Sequence, residues 1–130
     1  MTEPEFLEPD VVLFLHDQVL REYGGLQGIK NEDLLHSALG RPLNKLAYAD
    51  PGGLDLFDLA AGYAYGLVSN HAFNDANKRT AWGCCVLFLK MNEIHLNVQA
   101  HDVVEQMVRL AGGQLDETGF ATWLRISQRT

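Results

Sequence analysis

Apolar residues recur along this chain in steps of three and four, the spacing that gathers them on one face of a helix. Val11, Leu15, Val19 and Tyr23 fall four apart and predict a first helix from about Pro9 to Tyr23, with Pro9 where its missing N–H costs nothing and Gly24-Gly25 as the stop. A second helix is expected from about Asn31 to Gly40, capped by Asn31, with Leu34, Leu35, Ala38 and Leu39 as its apolar side and Pro42 preventing it from continuing far. Residues 42–53 then read as a connection closed by Asp50-Pro51-Gly52-Gly53.

The third helix is expected over about Leu54 to His71. Leu54, Phe57, Ala61, Ala64 and Val68 form one stripe, whose register reaches His71 and makes it the end of a buried face. Leu56, Leu59, Tyr63 and Leu67 add a second stripe. The fourth, about Asn77 to Met91, contains the charge-free run Thr80 to Leu89, with Asn77 or Asp75 suited to capping it. Two helices apolar nearly all round belong at the middle of a bundle. A fifth, about Ala100 to Ala111, turns Val103, Val104, Met107, Val108 and Ala111 inward and stops at Gly112-Gly113, and a sixth is capped by Asp116 and packs Phe120, Trp123 and Leu124. No stretch alternates at period two over more than a few residues, so the class is all-α.

Length and charge narrow the function. A chain of 130 residues is expected to be one domain, residues 1–130, with a single core. Ten Lys plus Arg against 17 Asp plus Glu give a net charge of -7, which disfavours a nucleic-acid partner. The acidic start Met1-Thr2-Glu3-Pro4-Glu5 lacks the apolar core of a signal peptide, and the longest apolar run, Ala81 to Leu89, is short of the roughly 20 residues of a membrane span. A cytoplasmic protein with no membrane partner is expected. Cys84 and Cys85 are adjacent, a placement that strains a disulfide on a helix, so they read as core thiols.

The densest chemistry lies between the third and fourth helices, in His71-Ala72-Phe73-Asn74-Asp75-Ala76-Asn77-Lys78-Arg79-Thr80. Two cations in the first turn of a helix oppose its dipole, which favours Asp or Glu there. A bound anion resolves that conflict, because open helix amides with Lys78 and Arg79 suit several phosphates at once. Asp75 could hold the magnesium that accompanies a nucleoside triphosphate, and His71 could act as a base beside it. Each residue alone has an ordinary explanation as a cap, a turn residue or a solvated charge; their coincidence is what counts.

These ten residues resemble the Fic/Doc signature: His, Pro, Phe, any residue, Asp or Glu, Gly, Asn, Gly or Lys, Arg. The version with Lys is similar to the Doc branch, as are Leu15-His16-Asp17, Tyr23-Gly24-Gly25-Leu26, the run Leu34 to Pro42 and Asp55-Leu56-Phe57-Asp58-Leu59-Ala60. The resemblance implies a compact bundle of about six helices. It also implies His71 as the base that activates a target hydroxyl, Asp75 as the magnesium ligand, Asn77, Lys78 and Arg79 as phosphate ligands, and Phe73 as an anchor. The implied cofactors are ATP and Mg2+.

Ala72 stands where most members have Pro, and Ala76 where Gly is usual. Lys78 occupies the position at which adenylyl-transferring members carry Gly, and Trp82 the place of their second Arg. The resemblance to Doc therefore implies a reversed nucleotide that presents its γ-phosphate, and with it a protein kinase, the toxin of a toxin–antitoxin pair. The implied target is a threonine of elongation factor Tu, and the implied partner an antitoxin, since the family's inhibitory signature of Ser or Thr, three residues and Glu followed by Gly or Asn is missing. Residues 42–53 correspond to the target-holding flap of many Fic proteins, although Leu43, Leu46 and Tyr48 read better as loop residues packed on the bundle. The competing readings are adenylylation of a protein hydroxyl and, from another class, a non-catalytic module that binds nucleotide or a partner.

Overall fold

A computed structural model describes residues 3–49 and 53–129, and among them six helices and no strand. They are α1 (Pro9–Tyr23), α2 (Glu32–Tyr48), α3 (Leu56–Asn70), α4 (Asn77–Met91), α5 (Ala100–Ala111) and α6 (Glu117–Ile126). The all-α class expected from periodicity is the one found.

At the centre is α3, in contact with α2, α4, α5 and α6. Its start is a reciprocal capping box, in which Asp55 accepts from the Asp58 amide at 2.9 Å and Asp58 accepts from the Asp55 amide at 3.0 Å. Its small residues, Ala60, Ala61, Gly62, Ala64 and Gly66, let neighbours approach on several sides. At Gly66 a Cβ would come 3.0 Å from the Ala38 carbonyl oxygen of α2, so Ala there would force backbone apart. Tyr63 is fully buried, and its hydroxyl accepts from the Leu7 amide at 2.9 Å, tying the N-terminal segment to the core. Beside it in α4, Cys84 and Cys85 are buried free thiols, as expected.

The second helix departs from its sequence reading. It does not stop before Pro42 but runs through it to Tyr48. Proline in a helix interior removes one hydrogen bond and costs about 3 kcal/mol, so tertiary contacts must offset that loss. Pro42 is buried, its ring against Gly62 of α3. The two turns around it are held by Glu117 of α6, which accepts from Arg41 at 2.6 Å and also pairs with Lys45. Lys45 further donates to the Asp58 carbonyl at 3.0 Å. The segment expected as a connection, and as the counterpart of a flap, is thus helical as far as Tyr48; Leu43 and Tyr48 are exposed, and residues 50–52 of its expected turn lie outside the described residues.

Two apolar faces are also displaced. In α1 the buried residues are Val12, His16 and Leu20, one position on from the expected stripe, and Tyr23 is 56% exposed. In α5 Met107 and Leu110 are buried, while Val104 and Val108, expected inside, are exposed. Both differences matter for the site, since α1 and α5 form its walls.

Candidate active site

The loop from His71 to Ala76 joins the two central helices, and both of its ends turn through left-handed backbone. His71 is the C-cap of α3 at φ 50°, and Ala76 precedes α4 at φ 64°. The reversal at His71 breaks the helical register, so the imidazole does not close the buried stripe as its spacing predicts; it is exposed. Left-handed backbone disfavours side chains other than Gly or Asn, and the loop keeps it through dense hydrogen bonding.

Asn77 supplies part of that bonding. It does not cap α4 as expected; its carboxamide turns back to accept from the Phe73 amide at 3.1 Å and to donate to the Phe73 carbonyl at 3.0 Å. The segment after α1 supplies another part, since Lys30 donates from its amide to the Ala72 carbonyl at 2.7 Å and the Asn74 amide donates to Gly28 at 3.2 Å. Phe73, the expected anchor, is 1% exposed and stacks on the ring of His16, with centroids 3.8 Å apart.

Asp75 is not a helix cap either. One carboxylate oxygen accepts from the Ala76 amide at 2.8 Å and the other from the Leu26 amide at 3.2 Å. These two amides, with the charges of Arg79 and His16, hold its pKa below the usual carboxylate range, so it is anionic over the physiological range. The carboxylate remains exposed, and oxygens with one donor each keep lone pairs for a cation.

No side chain caps α4. Its first amides therefore point outward with the positive end of the helix dipole, and Lys78 and Arg79 extend from the same turn into solvent. The Arg79 guanidinium lies over the ring of Tyr23. These groups face a cavity of about 770 Å³, lined also by Tyr23 of α1, Trp82 of α4, and Val104 and Val108 of α5. The exposed valines of α5 are thus a wall of the cavity.

The donor set fits a magnesium triphosphate. Uncapped amides and two cations match phosphate oxygens, an apolar wall matches a flat base, and an exposed carboxylate matches a hard cation. Among the described residues no three His, Cys, Asp or Glu side chains cluster as a metal site. Magnesium near Asp75 would therefore complete its shell with phosphate oxygens and water, its usual habit beside nucleotides.

All five residues singled out in the sequence, His71, Asp75, Asn77, Lys78 and Arg79, line this cavity. His16, Tyr23 and Leu26 touch them from α1 and the turn after it; the sequence marks these residues as part of the resemblance, and Tyr23 and Gly25 as a helix face and a helix stop, but gives them no place in the site. The visible signals were Leu15-His16-Asp17 and Tyr23-Gly24-Gly25-Leu26, both similar to the Doc branch; that His16 faces inward shows only in the fold.

Residues 6–89 match the Fic/DOC family. The chain is 32% identical over 119 residues to a protein named Protein kinase doc from Escherichia phage P1, an alignment that covers 92% of each. It is 36% identical over 74 residues to a protein named Toxin Doc from Mycolicibacterium smegmatis, covering 57% of this chain and 56% of that one. The match spans the central helices, the loop between them and the α1 segment that braces it, and on that ground the chain belongs to the Fic/DOC family.

Proposed function

We propose that this chain is a Doc-type toxin, a protein kinase that moves the γ-phosphate of ATP to a hydroxyl of a protein target. The observation that carries the reading is Lys78 in the uncapped first turn of α4, beside Arg79 and an anionic Asp75. The likeness over 92% of the chain to a relative named a protein kinase supports it.

In this reading His71 accepts the proton of the attacking hydroxyl, a role that suits an exposed imidazole at the cavity edge and contributes roughly 10²–10⁴-fold. The hydroxyl oxygen bonds to the γ-phosphorus, the bond from that phosphorus to the β,γ-bridging oxygen breaks, and ADP leaves. Lys78, Arg79 and the α4 amides stabilise the charge on the transferring group. Asp75 holds the magnesium ion, which neutralises phosphate charge. Asn77 keeps the loop closed through its paired bonds to Phe73.

The target is a threonine of elongation factor Tu, and its modification arrests translation in the cytoplasm. Restraint comes from a cognate antitoxin. The working unit is one domain, residues 1–130.

The test is incubation with elongation factor Tu and ATP labelled at either the α- or the γ-phosphate, followed by mass spectrometry of the product. Label from the γ-position on a threonine is the expected result. Label from the α-position would replace phosphoryl with adenylyl transfer, and nucleotide binding without transfer would make the chain a binding module.

A further inference from the structure

The first helix carries a group that the transfer chemistry does not use. His16 lies on the inner face of α1 at 5% exposure. Its Nε2 stands 2.9 Å from the backbone carbonyl oxygen of Asp75, 59 residues away in sequence. A carbonyl oxygen only accepts, so Nε2 bears the hydrogen. The same ring lies nearly parallel to Phe73, at 11° between planes.

The Asp75 carbonyl and the Ala76 amide belong to one rigid peptide plane. That amide donates to the Asp75 carboxylate at 2.8 Å. Holding the carbonyl therefore orients the amide, and the amide orients the carboxylate. The other carboxylate oxygen is met by the Leu26 amide, in a turn so close that a Cβ at Gly25 would lie 2.8 Å from it.

Building on the reading above, we propose that His16 is a positioning residue for the transfer site, fixing the Asp75–Ala76 peptide plane and so the direction in which the Asp75 carboxylate faces magnesium and the triphosphate. It touches neither substrate nor metal. Its effect passes through Asp75, as outer partners of metal ligands do elsewhere.

Three variants separate this role from simple core filling. His16→Gln keeps a donor near the position of Nε2, His16→Asn has an amide too short to reach, and His16→Phe keeps an aromatic ring against Phe73 without a donor. The Asn and Phe variants should lose about tenfold or more in magnesium-dependent ATP affinity and in kcat/KM, while Gln recovers most of the loss. Amide-proton exchange without ligand is the second readout: exchange at Leu26 and Ala76 should accelerate in the Asn and Phe variants and return toward the parent rate in Gln. Should Phe fail to fold, the Gln and Asn pair decides alone. Parent-like ATP affinity together with parent-like exchange in His16→Asn overturns the proposal. A parent chain without transfer activity overturns the kinase reading instead, and the exchange rates still decide the role of His16.

Discussion

The Arg79 guanidinium carbon lies 4.1 Å from the centre of the Tyr23 ring, so the last residue of α1 backs a cation in the first turn of α4. A cation over an exposed aromatic face gains about 0.5–1 kcal/mol. Tyr23→Leu should therefore weaken ATP binding by about two- to fivefold through a less ordered guanidinium. Tyr23→Phe keeps the ring and should bind as the parent does. Calorimetric titration of both variants decides the matter, and equal affinities for Leu and Phe would remove Tyr23 from the site.

Production of this chain without a partner should stop growth, and His71→Ala should abolish the arrest. Transfer should fall by roughly 10²–10⁴-fold, the usual contribution of a placed base. Because the imidazole is exposed, the variant should melt within a few degrees of the parent. Growth arrest by a folded His71→Ala protein as strong as that of the parent would exclude His71 as the base.

Ala76 pays for its left-handed backbone at φ 64°, a conformation Gly adopts without a Cβ clash. Ala76→Gly should raise stability by about 1 kcal/mol or less, since the extra freedom of Gly in the unfolded chain offsets part of the gain. Thermal melting would show this as a rise of a few degrees. A lower melting temperature would mean that the Ala76 methyl contributes packing that outweighs the strain.

Burial pushes the Tyr63 phenol from 10.0 to about 12 and the Cys84 thiol from 9.0 to about 12, and it raises the Cys85 thiol as well. In each case the folded protein favours the neutral form and the unfolded chain ionises first. Their contribution is thus complete below the unfolded values and is lost as pH rises toward the folded ones. Stability should be level with respect to these groups below about pH 9 and decline from there toward pH 12. Denaturant titrations at pH 8, 10 and 11 check the sign. At pH 8 both thiols should resist a water-soluble disulfide reagent until the chain unfolds, and rapid native labelling would contradict their burial.

Most helix boundaries were legible because their causes are local. Pro9, Asn31 and Asp116 start helices through their own backbone or side chains, and Gly24 and Gly112 follow helix ends. The continuation of α2 past Pro42 was not, because it depends on Glu117 and Gly62, partners far along the chain. The same reason hid the true work of Asn77 and Asp75, whose side chains look like caps but serve the loop and the Leu26 turn. His71 lacked any warning, since no glycine marks the reversal at its φ of 50°. The chemistry of the loop could be read from ten consecutive residues; its bracing by His16 and Tyr23 could not, because only the folded chain brings them together.

The cavity wall draws on residues as early as Val19 and as late as Val108. During synthesis, therefore, all the charged groups of the loop exist before the α5 part of the lining has been made. A chain released just after α4 would possess every residue of the signature and yet lack the part of the pocket lining that α5 supplies, Val103, Val104, Met107 and Val108 among it. The pocket takes its full outline only when α5, the last of its walls to be synthesised, packs against α4.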